Sequence, residues 1–207
     1  VSGAATQLLP VWLRPGAQGS WHTRLRDRLG RYGGARAMLF CISGVVAGTG
    51  RLLTDIERFR FDDETLAFLE RRRVVDTATL RWLSEYRFGG TVWGYAEGEC
   101  FFPYSPLLVV EASFAEAVVL ETLILSVLNF DSAVASAASR MTTAAAGRPC
   151  IEMGSRRAHE QAAVAAARAA FVAGFASTSN LEAGRTYGVP TQGTSAHSFV
   201  LLHDDER

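Results

Sequence analysis

Apolar and polar positions change their period along this chain, and each change marks an element. Residues 1–43 show little sustained periodicity: Arg24, Arg26, Arg28, Arg31 and Arg36 are scattered among Gly, Ala and Ser, and only Leu25 and Leu29 keep helical spacing. This basic stretch reads as a solvated arm, with a phosphate or nucleic-acid patch as the other reading. The pattern then sharpens. Residues 42–47 form a β-type run, and Gly48-Thr49-Gly50 opens into a helix. That turn has neither a Walker lysine nor a dinucleotide fingerprint, so its glycines serve close packing. Asp62 has the character of a helix N-cap, with Leu66, Leu69 and Phe68 on the face that follows, and residues 76–86 place Leu80, Leu83 and Tyr86 at helical spacing.

Gly89-Gly90 ends the helical texture. Strand-like runs at 91–96, 100–102 and 107–112 are separated by Glu97-Gly98-Glu99 and Ser105-Pro106, which predicts a small antiparallel meander. Residues 115–130 are the strongest helix in the sequence, and 131–146 continue in small residues suited to close helix packing. After Arg148-Pro149 short strands alternate with helices: a strand at 150–153, an alanine-rich helix over 162–170, a strand at 172–176, a short helix at 180–185, then a further strand and a loop carrying His197. Such alternation predicts parallel β/α units. The expected fold is therefore α/β, with an N-terminal α+β part before the β/α units.

Composition narrows the function classes. Lys+Arg and Asp+Glu are both 21, so no net field favours a nucleic acid or an anionic membrane as partner. A local arginine cluster can still hold a phosphorylated metabolite. Cys41, Cys100 and Cys150 are odd in number and far apart, which fits a reducing compartment, and none has zinc-ligand spacing, so no metal site is expected. The apolar tract 117–130 is shorter than a membrane span and contains Glu121, and 8–13 is broken by Pro10 with no basic residues before it. A cytoplasmic protein is expected.

Each predicted strand of the β/α part ends in polar residues. The tips are Gly154-Ser155-Arg156-Arg157, then Ser177-Thr178-Ser179-Asn180, then Gly193-Thr194-Ser195-Ala196-His197-Ser198. Sites in parallel β/α folds lie at the C-terminal strand ends, so the three tips are expected to share one pocket. Arg156 and Arg157 offer guanidinium forks for phosphate or carboxylate, Ser179 and Asn180 offer polar groups for a sugar, and His197 is a candidate acid, base or nucleophile, placed at a strand end or in a loop leading to a helix. The plainer reading has the arginines paired with Glu152 and Glu160, and the second tip only capping a helix.

Three stretches resemble, in order and spacing, the signature segments of the nicotinate phosphoribosyltransferase family: Glu152-Met153-Gly154-Ser155-Arg156-Arg157-Ala158-His159, then 174–184, then Gly193 to Ser198. Upstream, Arg58-Phe59-Arg60-Phe61, Tyr86-Arg87-Phe88, Glu97-Gly98, Phe102-Pro103 with Pro106-Leu107, and Leu120-Glu121-Thr122 are similar to that family's N-terminal domain. The resemblance covers about 44–202. It implies an N-terminal α+β domain over 44–146 and, over 147–207, the first units of a type II phosphoribosyltransferase α/β barrel. It implies transfer of a phosphoribosyl group from phosphoribosyl pyrophosphate to nicotinate for NAD synthesis, coupled to ATP with Mg²⁺, in a homodimeric enzyme. By the same match His197 is transiently phosphorylated, Thr194 lies against nicotinate, Arg156 reaches the phosphoribosyl pyrophosphate or the base, and Arg157, Ser179, Asn180 and Ser198 belong to the substrate site.

Departures from the family pattern sit at both ends. Its opening Thr-Asp-x-Tyr segment is not found, since Thr54-Asp55-Ile56-Glu57 has no tyrosine, and 1–43 look unrelated. Arg207 follows soon after the histidine motif, so the later barrel strands, a nicotinate-carboxylate arginine and a Gly-rich phosphate loop are expected to be missing. The chain thus reads as an incomplete relative of low or no activity alone, or as an inactive remnant that associates with a full-length homologue. A separate enzyme reading takes Leu201-Leu202-His203-Asp204-Asp205 as the apolar-then-acidic motif of purine-type phosphoribosyltransferases, without the Thr-Gly-rich loop that should follow it.

Overall fold

A computed structural model of the chain describes residues 44–202, so the basic segment 1–43 and the His203-Asp204-Asp205 part of the acidic motif lie outside the described residues. Contacts divide the described chain into two units, one of 49–96 and 104–127, the other of 44–48, 97–103 and 128–202. These units are groupings by contact, whereas the domains expected at 44–146 and 147–207 follow from the family resemblance. Contacts instead group the second part of the long central helix with the later strands.

In the first unit, α1 (Thr49–Arg58) buries Leu52 and Ile56. Helices α2 (Asp63–Arg71) and α3 (Thr77–Ser84) start where the sequence places their caps: Asp62 accepts from the Thr65 amide at 2.8 Å and Asp76 from the Thr79 amide at 2.7 Å. These bonds satisfy amides that have no partner inside the helix. Leu83 and Tyr86 are buried as expected, whereas Phe68 stays half exposed because it falls off the face that Leu66 and Leu69 share. Tyr86 anchors the aromatic core. Rings of Phe59, Phe61 and Trp82 meet it edge-on at 5.3–6.0 Å, and its hydroxyl donates to the Glu116 carbonyl at 3.1 Å.

The expected meander is not what forms. Strand β2 (Thr91–Gly94) pairs antiparallel with β4 (Leu108–Glu111), while β3 (Cys100–Phe101) pairs antiparallel with β1 (Gly44–Val45) of the second unit. Local propensity marks strands but carries no information about distant partners, and here β1 outcompetes the nearer strands. Glycine makes this pairing possible. A Cβ on Gly44 would lie 2.2 Å from the Ser136 hydroxyl and 2.9 Å from the Phe101 ring.

Helix α4 (Phe114–Ala145) runs for 32 residues through both units. The tract 117–130 is therefore part of a helix long and apolar enough to cross a membrane, contrary to the expectation of too short a run. One face of it is buried: Leu120, Ile124, Val127, Leu128, Asp131, Ala135 and Ala138 recur at spacings of three and four, while Val118, Phe130 and Met141 are exposed. In the second unit its small side chains stitch β1 in place. The Ser136 hydroxyl accepts the Val45 amide at 2.9 Å, and that of Ser132 accepts the Ala47 amide at 3.2 Å. Ala47, Ala135 and Ala169 form the contact, with the alanine face of α5 (Glu160–Val172) against it.

Strands β5 (Ile151–Glu152) and β6 (Ser177–Thr178) flank α5 and pair in parallel, and Thr191 adds a third parallel position beside Thr178. The strand expected at 172–176 lies later. Val172 closes α5, Gly174 turns the chain at φ 98°, and the strand is the polar pair Ser177-Thr178. Helix α6 (Leu181–Tyr187) follows, and α7 (His197–Leu201) ends the described chain.

Within this unit Arg168 of α5 grips Glu97, whose carboxylate also takes the Gly48 amide at 2.7 Å, and stacks over Tyr187 at 5.2 Å. Side-chain exposures of 15% and 21% make this a part-buried pair. Arg168→Met, which leaves Glu97 with the Gly48 amide, is expected to lower the unfolding free energy by about 1.5–3 kcal/mol in urea denaturation. A loss below ~0.5 kcal/mol would class the pair with exposed bridges. On α6, Arg185 first and Thr186 second pull the Glu182 carboxyl down from its ordinary 4.5 to about 2. A carboxylate whose pKa falls on folding stabilises above its unfolded value and loses that effect on acidification, so this contribution is present at neutral pH and fades between about pH 4.5 and 2. NMR titration of the Glu182 carboxyl should find its midpoint near the lower value; a midpoint at the ordinary one would contradict the pairing.

Candidate functional site

Parallel pairing decides where the polar tips go. Ile151 pairs with Ser177 and Glu152 with Thr178, and Thr191 lies parallel beside Thr178, so all three segments leave the sheet at the same edge. Backbone bonds lock the order: Ser179 donates to the Glu152 carbonyl at 2.8 Å, Thr178 to that of Pro190 at 2.9 Å, and Gln192 to that of Thr178 at 2.9 Å. The second and third tips begin at these residues.

Beyond β5 the first tip coils into a 3₁₀ turn, Gly154–Arg157, with no side-chain cap. Arg156 and Arg157 are exposed, and Arg157 donates to the Arg156 carbonyl at 3.3 Å. The ion pairs of the plainer reading do not form. Glu160 lies 3.4 Å from His159, and the Glu152 carboxylate takes the Gly154 amide on one oxygen and the Thr178 hydroxyl on the other. Two adjacent guanidinium groups beside a backbone turn are suited to a polyanion.

The second tip serves as cap and joint together. Asn180 caps α6 by accepting the Ala183 amide at 3.0 Å, its own amide donates to Thr178 Oγ1 at 2.9 Å, and its Nδ2 donates to Ser155 Oγ at 3.1 Å. It is thus the direct link between the first two tips. Ser179 beside it is exposed, with its backbone held by Glu152.

The third tip is aligned by register rather than by side-chain bonds. Gly193, Thr194, Ser195, His197 and Ser198 are all exposed, and His197 is the first residue of α7, so the loop leading to a helix is the arrangement found. Apolar side chains after it remain uncovered, with Phe199 59% and Leu201 85% accessible. An exposed imidazole is free to meet a phosphate donor. Sequence reasoning did not single out Gln192, named Thr178 only as a member of the second tip, and gave Glu152 no role of its own beyond the ion pair of the plainer reading. The available signal was Glu152 two residues before a glycine: a Cβ on Gly154 would lie 2.8 Å from its carboxylate, so only glycine lets that oxygen reach the amide.

Concavity lies elsewhere. A cleft in the first unit is lined by Trp82, Glu85, Tyr86, Arg87, Ser113 and Glu116. Both its acids are engaged: Glu85 lies 3.8 Å from Arg81, and Glu116 takes the Ser113 hydroxyl first and the Gly89 amide at 3.1 Å second, which hold it below the usual carboxylate range. Among the described residues no group of three or more His, Cys, Asp or Glu is placed to hold a metal ion, and the thiols of Cys100 and Cys150 are free.

Comparison with known proteins places this geometry. Residues 42–129 match the model of the nicotinate phosphoribosyltransferase (NAPRTase) N-terminal domain. Over 160 residues, 77% of this chain and 35% of the relative, the sequence is 62% identical to nicotinate phosphoribosyltransferase pncB1 of Mycobacterium tuberculosis. Against pncB2 of the same organism it is 43% identical over 163 residues, 78% of this chain and 35% of the relative. The crystal structure of human nicotinic acid phosphoribosyltransferase superposes with a TM-score of 0.72 at 30% identity, over 88% of this chain and 40% of that one. The chain spans about a third of the length of the curated relatives it matches. With its α+β elements and parallel β/α units, this chain is similar to nicotinate phosphoribosyltransferases over the part of their length that it spans.

Proposed function

We propose that the three strand tips form part of the site at which a nicotinate phosphoribosyltransferase transfers the phosphoribosyl group of phosphoribosyl pyrophosphate to the ring nitrogen of nicotinate. The bond from the anomeric carbon to pyrophosphate breaks and one to the nitrogen forms, giving nicotinate mononucleotide for NAD synthesis. The observation that carries this reading is the parallel pairing of β5 with β6 and of Thr178 with Thr191, with Asn180 bonded to Ser155 in the turn that carries Arg156 and Arg157.

Positive charge grows on the anomeric carbon as negative charge leaves with pyrophosphate, so the two guanidinium groups act where charge develops. Mg²⁺ bound with the pyrophosphate would neutralise its charge; Glu152 is not assigned to hold it, since both its carboxylate oxygens accept hydrogen bonds. His197 would take the γ-phosphoryl group of ATP on an imidazole nitrogen, with ADP as the leaving group, and the phosphohistidine would add charge and acceptor oxygens beside Thr194 and Ser198. Thr194 contacts nicotinate, and Ser179 presents its hydroxyl to the sugar phosphate. The site works in the cytoplasm and within a homodimer, in keeping with free thiols and with the family.

Incubated with γ-labelled ATP, the chain should take up label at His197, and His197→Ala should take up none; label persisting in that variant would refute the assignment. Arg156→Ala should weaken phosphoribosyl pyrophosphate binding by roughly tenfold or more in calorimetry, since hydrogen bonds to charged groups contribute about 1.5–3 kcal/mol. An unchanged affinity would remove Arg156 from the site.

A further inference from the structure

One carboxylate at the strand edge belongs neither to the fold's core nor to the ligand contacts of the proposed site. Glu152 closes β5 half-buried, and its two oxygens point different ways. One takes the amide of Gly154, at the start of the turn that carries Arg156, and the other takes the hydroxyl of Thr178 at 2.6 Å on the neighbouring strand. Thr178 is fully buried, and its hydroxyl oxygen in turn accepts the Asn180 amide at 2.9 Å. A continuous path therefore runs from the Gly154 amide through the carboxylate and the threonine hydroxyl to the Asn180 amide. Backbone and side chain close it into a ring: Ser179 donates to the Glu152 carbonyl at 2.8 Å, and Asn180 Nδ2 donates to Ser155 Oγ at 3.1 Å.

Two-residue strands cannot fix the loops beyond them by ladder bonds alone, whereas charge-assisted bonds to a half-buried carboxylate are short and directional. We infer that Glu152 is a positioning residue: acting through Gly154 and Thr178, it sets the turn carrying Arg156 and the loop carrying Ser179 and Asn180 in one fixed relation, without touching ligand itself. Its effect on binding rests on the proposed phosphoribosyl pyrophosphate site; the coupling of the two tips does not.

Substitution separates the two claims. Glutamine replaces one acceptor oxygen by an NH2 that can only donate, so Glu152→Gln removes the charge and either loses one link or reverses the direction of the Thr178 bond. Thr178→Val deletes the hydroxyl at nearly constant volume, and Thr178→Ser restores it. In the full chain, far-UV circular dichroism should stay that of the parent in all three variants. In ¹H–¹⁵N spectra, Thr178→Val should displace the amide resonances of Gly154 to Arg157 across the strand as well as those of Ser179 and Asn180, Glu152→Gln should displace both sets, and Thr178→Ser should return them. Calorimetry with phosphoribosyl pyrophosphate should show binding weakened roughly tenfold in Glu152→Gln and Thr178→Val, the loss of about one charged hydrogen bond, and near-parent binding in Thr178→Ser. Resonances of Gly154 to Arg157 that stay put in Thr178→Val would overturn the coupling. Parent-like affinity in both disrupted variants would overturn the positioning role. Should the parent chain bind no phosphoribosyl pyrophosphate, the functional reading fails while the resonances alone decide the coupling.

Discussion

Parallel register between strands only two residues long is the constraint on which the candidate site depends. A parallel pair needs a crossover, and here α5 supplies it, with Ala163, Ala165, Ala167, Ala169 and Ala170 buried so that the helix lies close. Once Ile151 faces Ser177, the exits of both strands are fixed at one edge, and the bonds of Thr178 to Pro190 and Gln192 bring the next segment out beside them. A slip of one residue would turn Thr178 away from Glu152 and separate the tips. The buried polar pair is thus a specificity device, holding a register that so short a ladder cannot hold unaided.

The same unit shows how small residues replace bulk. Ala47, Ala135 and Ala169 meet, and hydroxyls of Ser132 and Ser136 bond the backbone of 45–47, so helix α4 acts towards β1 much as a neighbouring strand would. Beside this contact sits the Arg168 and Glu97 pair, which ties α5 to the turn between β2 and β3 and, through Tyr187, to the end of α6. Because α6 begins at Asn180, the ion pair and the strand edge hold opposite ends of one short helix.

Local signals were the ones legible in the sequence. Asp62 and Asp76 announce their helices because a cap acts within three residues, and Leu83 and Tyr86 announce a buried face because helical spacing is local too. Pairing was not legible: 91–96, 100–102 and 107–112 have strand propensity, yet β3 pairs with β1 more than fifty residues away. At 172–176 the apolar composition pointed to a strand, but Val172 completes the helical face of α5 and Gly174 ends it, leaving the strand to two polar residues whose side chains find buried partners. The site was legible as motifs, since Arg156, Asn180 and His197 each sit in a recognisable segment. Its joints, Glu152 and Thr178, were not, because a carboxylate and a hydroxyl in sequence carry no sign of which will face the other.

The account's central claim is that the tips act on one ligand at one edge. A crystal structure of the chain with phosphoribosyl pyrophosphate tests it most directly. The account predicts a single ligand contacted by Arg156 and by the Ser179 and Asn180 loop, with the His197 loop bordering the same ligand. A ligand held by one tip alone, or seated in the cleft between Trp82 and Glu116, would contradict it.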